Sequence, residues 1–354
     1  MNPTAKKNIT IGFHDGEGAS KELLLGAYSV CKILQKKYPE IVLKKVPFLY
    51  DGYSKMNPIA KKIFDNIKKE KGAVISGAIS GDNTYNLRAS YKFIYKLIEI
   101  KPYSNLKDIS PLKTTLRNKI DWLLIRHNKG IFTIAKEKWI KKNQKAEWSA
   151  IYELDELKTL AKISFEYATK RRKKLTLTVK SKKQSKVINI WKTAFIQMSK
   201  KYPDVELTIL NPDFAGANAF EYPEKYDVFF MPDIIGDTLA DIYAALLNGN
   251  RNFDGSGNFS LDNFSYYNTL HGAAEDIKNR NIANPAGTIS NLALMFKYSF
   301  DRVDIYKIIN KTLNTTFSKY RCFDSISNNK GTLGTKEFYD KYITELIKYL
   351  SRKN

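Results

Sequence analysis

Short β-branched runs alternate with amphipathic helical stretches along most of this chain, and that alternation limits it to few architectures. Ile9 to Phe13 reads as a strand that ends in His14-Asp15-Gly16-Glu17-Gly18. Lys21 to Lys36 then places Leu23, Leu24, Ala27, Val30, Cys31 and Leu34 on one helical face. Ile41 to Val46 is a second strand, Pro58 to Glu70 a helix, and Ala73 to Ile79 a third strand. The later pairs are the helix Glu153 to Thr169 with the strand Leu175 to Val179, and the helix Val187 to Lys200 with the strand Val205 to Leu210. Tyr226 to Met231 is a strand before the helix Thr238 to Leu247, and three more helices fill Asn284 to Tyr298, Ile305 to Thr316 and Thr335 to Leu350. Strands and helices in this order predict an α/β protein built on a parallel sheet.

Three segments break the rhythm. Asn86 to Ile98 reads as a helix or as a helix running into a strand, followed by the buried strand Ile120 to Arg126. Phe132 to Tyr152 loosens into charged, Trp-bearing alternation. Asn248 to Asn268, rich in Asn, Gly, Ser and Phe, predicts a long loop with a functional role. At 354 residues the chain suits one large domain or two subdomains. No apolar run approaches the roughly 18 residues of a membrane span, and the first residues show no apolar signal segment. Two cysteines, Cys31 and Cys322, exclude a disulfide framework or a cysteine zinc site and point to a reducing compartment.

Charge is the unusual feature of the composition. The formal net charge is +23, and between Lys136 and Lys186 there are 16 Lys or Arg against 6 Asp or Glu. Its densest part is the run Arg171, Arg172, Lys173, Lys174. Such a patch predicts an acidic partner, namely RNA, an acidic protein or an anionic membrane surface. The plainer reading is a solvated basic surface.

The residues with chemical potential lie mainly between Tyr226 and Met295. Asp237 and Asp241, in GDTLAD, stand four apart at a helix start, where they either cap the helix and meet its dipole or offer hard oxygens to a divalent cation. A His271-Gly272 turn and an Asn284-Pro285 turn follow, and turns of this kind also arise for geometric reasons alone.

In order and spacing, YDVFFMPDIIGDTLAD and HGAAEDIKNRNIANP resemble the isocitrate/isopropylmalate dehydrogenase family, whose corresponding blocks read roughly FDV…PN..GDILSD and HG.APDIAGK.IANP. The resemblance runs from Ile9 to about Ile347. It implies a discontinuous large α/β domain of residues 1–96 and 250–354, and a small α/β domain of residues 97–249. Within the small domain, residues 132–152 would be a clasp exchanged between two subunits, with the active site at the dimer interface. It also implies NAD with Mg2+ or Mn2+, and oxidation of a 2-hydroxy acid followed by loss of the β-carboxylate. Asp213, ten residues before Pro223, would join Asp237 and Asp241 as metal carboxylates. His271, Gly272, Asp276 and Asn284 would hold the adenosine portion of the nucleotide, while Asn268 stands where relatives often carry a Glu.

Other positions depart from the family pattern. With Pro102 as anchor, Tyr91 and Lys101 fall at two of the three substrate Arg positions, and Arg126 in IRHN keeps the third. Arg88, near a lost position, receives no substrate role, and Tyr85 and Asn86 fall where the family has Ser and Asn. Phe132 occupies the position of the proton-transferring Tyr, and Ser181 that of the Lys. His14 and His127 replace a Gly and a Glu, without zinc-ligand spacing. These losses predict a non-catalytic homologue. It would serve as a regulatory subunit of an NAD-dependent isocitrate dehydrogenase, or as a structural part of a large mitochondrial assembly such as a ribosome. The alternative is an active NAD(P)-dependent decarboxylating dehydrogenase in which Lys180, Lys182 or Tyr152 supplies the missing base.

Overall fold

The computed structural model describes residues 8–51, 55–79, 81–130, 136–180, 185–249, 253–325 and 331–352. In chain order the strands are β1 Ile9–His14, β2 Ile41–Val46, β3 Tyr50–Asp51, β4 Lys55–Met56, β5 Ala73–Ser76, β6 Tyr95–Ile100, β7 Trp122–His127, β8 Lys136–Lys141, β9 Lys145–Ser149, β10 Lys174–Thr178, β11 Glu206–Leu210, β12 Val228–Met231, β13 Gly255–Phe259, β14 Ser265–Thr269, β15 Tyr320–Cys322 and β16 Gly331–Leu333. The helices are α1 Ser20–Lys37, α2 Pro58–Lys69, α3 Gly81–Ser90, α4 Thr114–Arg117, α5 Leu154–Thr169, α6 Lys186–Ser199, α7 Pro212–Glu221, α8 Asp233–Asn248, α9 Ala286–Tyr298, α10 Val303–Lys319 and α11 Thr335–Ser351.

Ten strands form one sheet in the order β11-β10-β12-β7-β6-β13-β14-β5-β1-β2. The predicted parallel pairing holds in two blocks, β11-β10-β12-β7 and β14-β5-β1-β2. Three antiparallel pairings through β6 and β13 join them. The functional loop expected from Asn248 to Asn268 is therefore corrected: most of it is β13 and β14, two central strands. Glycine hid β13 from a propensity reading, and packing explains its glycines. A Cβ on Gly255 would lie 2.7 Å from the backbone nitrogen of Asn291, and one on Gly257 would lie 2.5 Å from the Tyr267 ring. Residues 136–149 contribute the antiparallel hairpin β8-β9, which is separate from the large sheet among the described residues.

Helices cover both faces. One face packs Ile11, Ile75, Leu97, Ile125 and Phe230 against α1, α5, α6, α9, α10 and α11 in the largest core. The opposite face carries two separate clusters. Ile98, Trp122, Leu124, Phe229 and Met231 meet α7 and α8 in one; Val46, Val74 and Tyr266 meet α2 and α3 in the other. Local signals set several boundaries. Pro58 sits in the first turn of α2, and the Asn57 side chain accepts the Ile59 and Ala60 N–H groups at 3.0 and 3.2 Å. Gly249, at φ +77°, ends α8 in the left-handed conformation.

His14 is a core residue. Its ring is fully buried, Nε2 accepts the Leu49 N–H at 3.0 Å, and Nδ1 lies 2.8 Å from Ser76 Oγ. Burial pushes its pKa from 6.5 down to about 3. As pH falls through 6.5 the unfolded chain takes up a proton that the folded chain refuses, so the folded state loses stability. The urea midpoint should therefore drop between pH 7 and pH 5, and His14→Gln should remove part of that drop; identical pH profiles for the two proteins would contradict this role.

Candidate active site

Opposite residues on neighbouring strands point to the same side of a sheet. On the face with the two smaller clusters, one row crosses six strands in register: Met231, Arg126, Lys96, Asn258, Tyr266 and Val74. Met231 belongs to one apolar cluster, and Tyr266 and Val74 to the other. Between them Arg126, Lys96 and Asn258 make a polar gap in the middle of the sheet, with α8 on one side and α3 on the other.

Arg126 is fixed by α8. Its Nε donates to Asp233 Oδ1 at 3.0 Å, and its Nη atoms reach Asp233 and Asp237. Two glycines make room for this arrangement. A Cβ on Gly236 would lie 2.9 Å from Arg126 Cγ, and one on Gly130 would lie 2.4 Å from Asp233 Cβ. Lys96 is 4% exposed. Burial first, then Arg88 and Arg126, push its pKa down to about 7, against the opposing pull of Asp237 and Asp241. Arg88 approaches from α3, its guanidinium 5.9 Å from the centre of the Tyr85 ring.

Several buried polar atoms here have no partner among the described residues: Arg88 Nε, Asn128 Oδ1 and Asp233 Oδ2. Asn128 uses its amide nitrogen, donating to Phe93 O at 3.1 Å and to Asn258 Oδ1 at 3.0 Å. Asn258 in turn donates to Asn268 Oδ1 at 3.1 Å. Buried polar atoms are normally paired, so these three stand out on this face of the sheet. A cleft of about 670 Å³ adjoins it, lined among others by Tyr85, Arg88, Ala89, Phe93, Ile94, Asn128 and Leu261.

The metal carboxylates divide into two groups. Asp237 and Asp241 lie one turn apart on α8, with Asp237 56% exposed beyond its contact with Arg126. Asp213, in the first turn of α7, is exposed and pairs with Lys180 at 3.3 Å. Hydrogen bonds from its own backbone N–H and from Lys180 hold its carboxyl below the usual range. Among the described residues no three His, Cys, Asp or Glu side chains gather into a metal site within one chain. The Asp237–Asp241 pair has the hard oxygens a divalent cation needs, and such a site would be completed from outside this chain's own cluster.

The four nucleotide candidates share one loop. A Cβ on Gly272 would meet nothing within 4 Å, His271 Nδ1 lies 2.8 Å from Gly272 O, and Asp276 stands in a short turn after Ala274 at φ +50°. Asn284 Oδ1 accepts the Ala286 N–H at 2.9 Å at the start of α9. Gly18, at φ +59°, anchors the loop, since a Cβ there would lie 1.9 Å from Ala273 O. A side chain at Gly272 would thus point into open space.

The family model described as isocitrate/isopropylmalate dehydrogenase matches residues 10–342. This chain belongs to that family. It is 30% identical to the 3-isopropylmalate dehydrogenase of Buchnera aphidicola subsp. Cinara cedri, over 97% of this chain and 99% of the relative. It is 32% identical to the 3-isopropylmalate dehydrogenase of Aquifex aeolicus, over 79% and 81%. The isocitrate dehydrogenase of Methylococcus capsulatus superposes with a TM-score of 0.82 at 18% identity, over 96% of this chain and 99% of that one, which establishes the fold.

These relatives correct two expectations. Proteins named as dehydrogenases match the chain almost end to end, so the non-catalytic regulatory or structural subunit lacks support. They are bacterial, so the mitochondrial setting, with a ribosome or similar assembly as partner, lacks support as well. The structure also accounts for the basic run. Arg171 donates to Asp227 Oδ1 at 2.7 Å and to Asp121 O at 2.8 Å; Arg172 donates to Asp121 O at 2.6 Å and to Tyr226 O at 2.7 Å. Lys173 lies 3.6 Å from Asp204, and Lys174 donates to Glu224 O at 3.3 Å. These cations tie together the starts of β7, β10 and β12, which removes the argument for a free RNA-binding patch.

Tyr91 packs in the cluster beneath α2 and α3 and donates to Asp65 at 3.1 Å, while Lys101 pairs with Glu99 and Tyr306. Lys101 lies away from the gap, and Tyr91 lines the adjoining cleft. Arg88, which the sequence register left without a role, reaches the gap. Tyr152 packs on the His127 and Trp191 rings. Phe132, Ser181 and Lys182 lie outside the described residues. Sequence reasoning passed over Lys96, although a charged residue among the apolar residues of YKLIEI was a usable signal. Breaking a buried ion pair costs roughly 3–5 kcal/mol, so Asp233→Ala should lower unfolding stability by about 3 kcal/mol in urea titrations; a loss below about 1 kcal/mol would show that Arg126 is fixed by something else.

Proposed function

We propose that this chain is a metal-dependent, NAD(P)-linked decarboxylating dehydrogenase acting on a 2-hydroxy acid of the 3-isopropylmalate type, with isocitrate as the second candidate. The observation that carries the reading is the polar gap itself: cations from β6, β7 and α3 face a carboxylate pair on α8 in the middle of an otherwise apolar sheet face. The relatives' names support the chemistry, and Ala89, Phe93, Ile94 and Leu261 beside the gap favour an apolar substituent over a third carboxylate.

The active unit in this reading is a dimer of identical chains. Among the described residues the hairpin β8-β9 pairs with no other strand, and it exposes Trp139, Ile140 and Trp148 by 60%, 52% and 44%. Two strands alone are marginally stable in water, and exposed aromatics invite a partner surface. Across that interface Asp213 of one copy would complete the site begun by Asp237 and Asp241 of the other. Lys180 travels with Asp213 because the two are paired.

A bound divalent cation would polarise the hydroxyl and later the keto oxygen, and a bound nicotinamide would accept hydride. The chain's own residues bind and orient. Arg126, braced by Asp233, offers its guanidinium to a carboxylate, Arg88 offers a second, and the apolar wall of the cleft keeps water from the C3 side.

Purified chain with Mg2+, NAD or NADP, and 3-isopropylmalate should produce reduced cofactor, followed by near-ultraviolet absorbance. Chelation of the metal should abolish the signal, and Asp241→Asn should lower it by on the order of 10²-fold or more. Absence of turnover with 3-isopropylmalate and with isocitrate, under either cofactor, would refute the reading.

A further inference from the structure

We propose that Asp254 is a positioning residue: its buried carboxyl ties the end of α8 to the sheet, and the state of that carboxyl governs how α8 presents Asp237 and Asp241 to the polar gap. The consequence for the metal pair rests on the dehydrogenase reading, whereas the joint itself is read from the fold.

Asp254 immediately precedes β13 and is 2% exposed. Both of its carboxyl oxygens lie 3.4 Å from Nδ2 of Asn248, the last residue of α8, and among the described residues it forms no ion pair. Asn248 gathers the joint. Its Oδ1 accepts the Tyr103 N–H at 3.1 Å and a hydrogen of Arg117 Nη2 at 3.3 Å, and its Nδ2 donates to Lys101 O at 3.2 Å. Arg117, which ends α4, also donates to Leu247 O at 2.9 Å and to Tyr103 O at 2.7 Å. One carboxamide and one guanidinium thus fasten the last two residues of α8 to the chain that leaves β6, and Asp254 adds β13 to the same point. The strands β6 and β13 pair with each other and join the two parallel blocks, so the joint lies where one block passes into the other.

The groups that face Asp254 are Glu99 from β6, Lys101 and Tyr103 from the chain after it, and Arg117 from α4. Lys101 is engaged by Glu99 at 3.2 Å and by Tyr306 at 2.6 Å, and Glu99 also accepts from Lys297, Tyr298 and Tyr306. The Tyr103 hydroxyl lies 2.6 Å from Ser290 Oγ. Arg117, which also feels Asp108, keeps a donor in reserve: its buried Nη1 has no partner among the described residues. Burial pushes the Asp254 pKa up from 3.8 to about 8, helped by Glu99 and opposed by Asn248, Lys101 and Arg117. At pH 7 the carboxyl therefore keeps its proton. Loss of that proton leaves a buried anion, and a buried charge needs a partner. Arg117, already bonded to the same Asn248, holds the spare donor that answers it. Turning the guanidinium toward Asp254 draws it from Leu247 O and Tyr103 O and loosens the last turn of α8. The helix runs unbroken from Asp233 to Asn248, and packed helices move by about 1–2 Å in ordinary switching motions. A shift of that size at one end changes how Asp237 and Asp241 meet the gap.

Two measurements on the full chain and on Asp254→Asn, neither of which uses turnover, test the joint. The first is the urea midpoint between pH 5 and pH 9. Because the folded carboxyl holds its proton more tightly than the unfolded one, the stability it lends is complete below about pH 4 and is lost as pH rises to about 8. Asparagine cannot ionise, so the gap between the two proteins should widen in favour of Asp254→Asn up to about pH 8 and then level off. The second is Mn2+ affinity, read from the paramagnetic signal of the free ion at pH 6.5 and pH 8.5. In the unaltered chain it should weaken by about fourfold, as the protonated fraction falls, and in Asp254→Asn it should stay constant. A urea gap that does not change with pH would overturn the proposal, and so would an equal pH dependence of Mn2+ affinity in the two proteins, which would leave Asp254 a structural residue only. Absence of Mn2+ binding at both pH values would sink the dehydrogenase reading, and the urea gap would then decide the joint by itself. If Asp254→Asn does not fold, hydrogen exchange in the unaltered chain decides: protection of the last turn of α8 that falls between pH 6.5 and pH 8.5, beyond the intrinsic effect of pH, supports the joint, and unchanged protection overturns it.

Discussion

Arg126, held between Asp233 and Asp237, is the interaction on which the centre of this molecule depends. A guanidinium buried to this degree is tolerable only when its charge and its donors are matched, and α8 supplies both carboxylates from its first turns. That fixes the distance and rotation of α8 relative to β7. Gly236 and Gly130 are the local cost, since each leaves the space that the Arg126–Asp233 pair fills. Once α8 is placed, Asp237 and Asp241 face the same gap as Lys96, and the site follows from the placement.

The sheet explains why the gap is where it is. Two parallel blocks meet through the antiparallel strands β6 and β13, and each block brings its own apolar cluster to the α8 and α3 face. The clusters stop on either side of Arg126, Lys96 and Asn258. A continuous core would have been the more stable solution for the sheet alone. Interrupting it with charged and carboxamide groups exchanges core burial for a polar gap in which Arg88 Nε and Asn128 Oδ1 have no partner among the described residues.

Much of the architecture was legible because it rests on local pattern. The helices starting at Ser20, Pro58, Leu154, Lys186 and Thr335 fall where the periodicity placed them, within one or two residues. The central strands β13 and β14 were read as one loop because the Asn, Gly and Ser of residues 248–263 masked the β-favouring Tyr and Thr of SYYNT, and the contacts that require the β13 glycines lie in α9 and β14. The basic run at Arg171 to Lys174 misled for a related reason. Composition counts charges, whereas Asp121, Asp204 and Asp227, distant in sequence, absorb them in the fold.

By itself the sequence determined the α/β class, the succession of elements and the family, because hydrophobic period and motif spacing are properties of neighbours along the chain. It also determined that Arg126, Asp237 and Asp241 are the residues to examine. Only the tertiary structure decided which cations share their gap. Strand register sets Lys96 beside Arg126, and the packing of α3 brings in Arg88, while Tyr91 and Lys101 face other partners. A one-residue offset in a strand or a partial turn of a helix redirects a side chain completely, and no linear spacing carries that information.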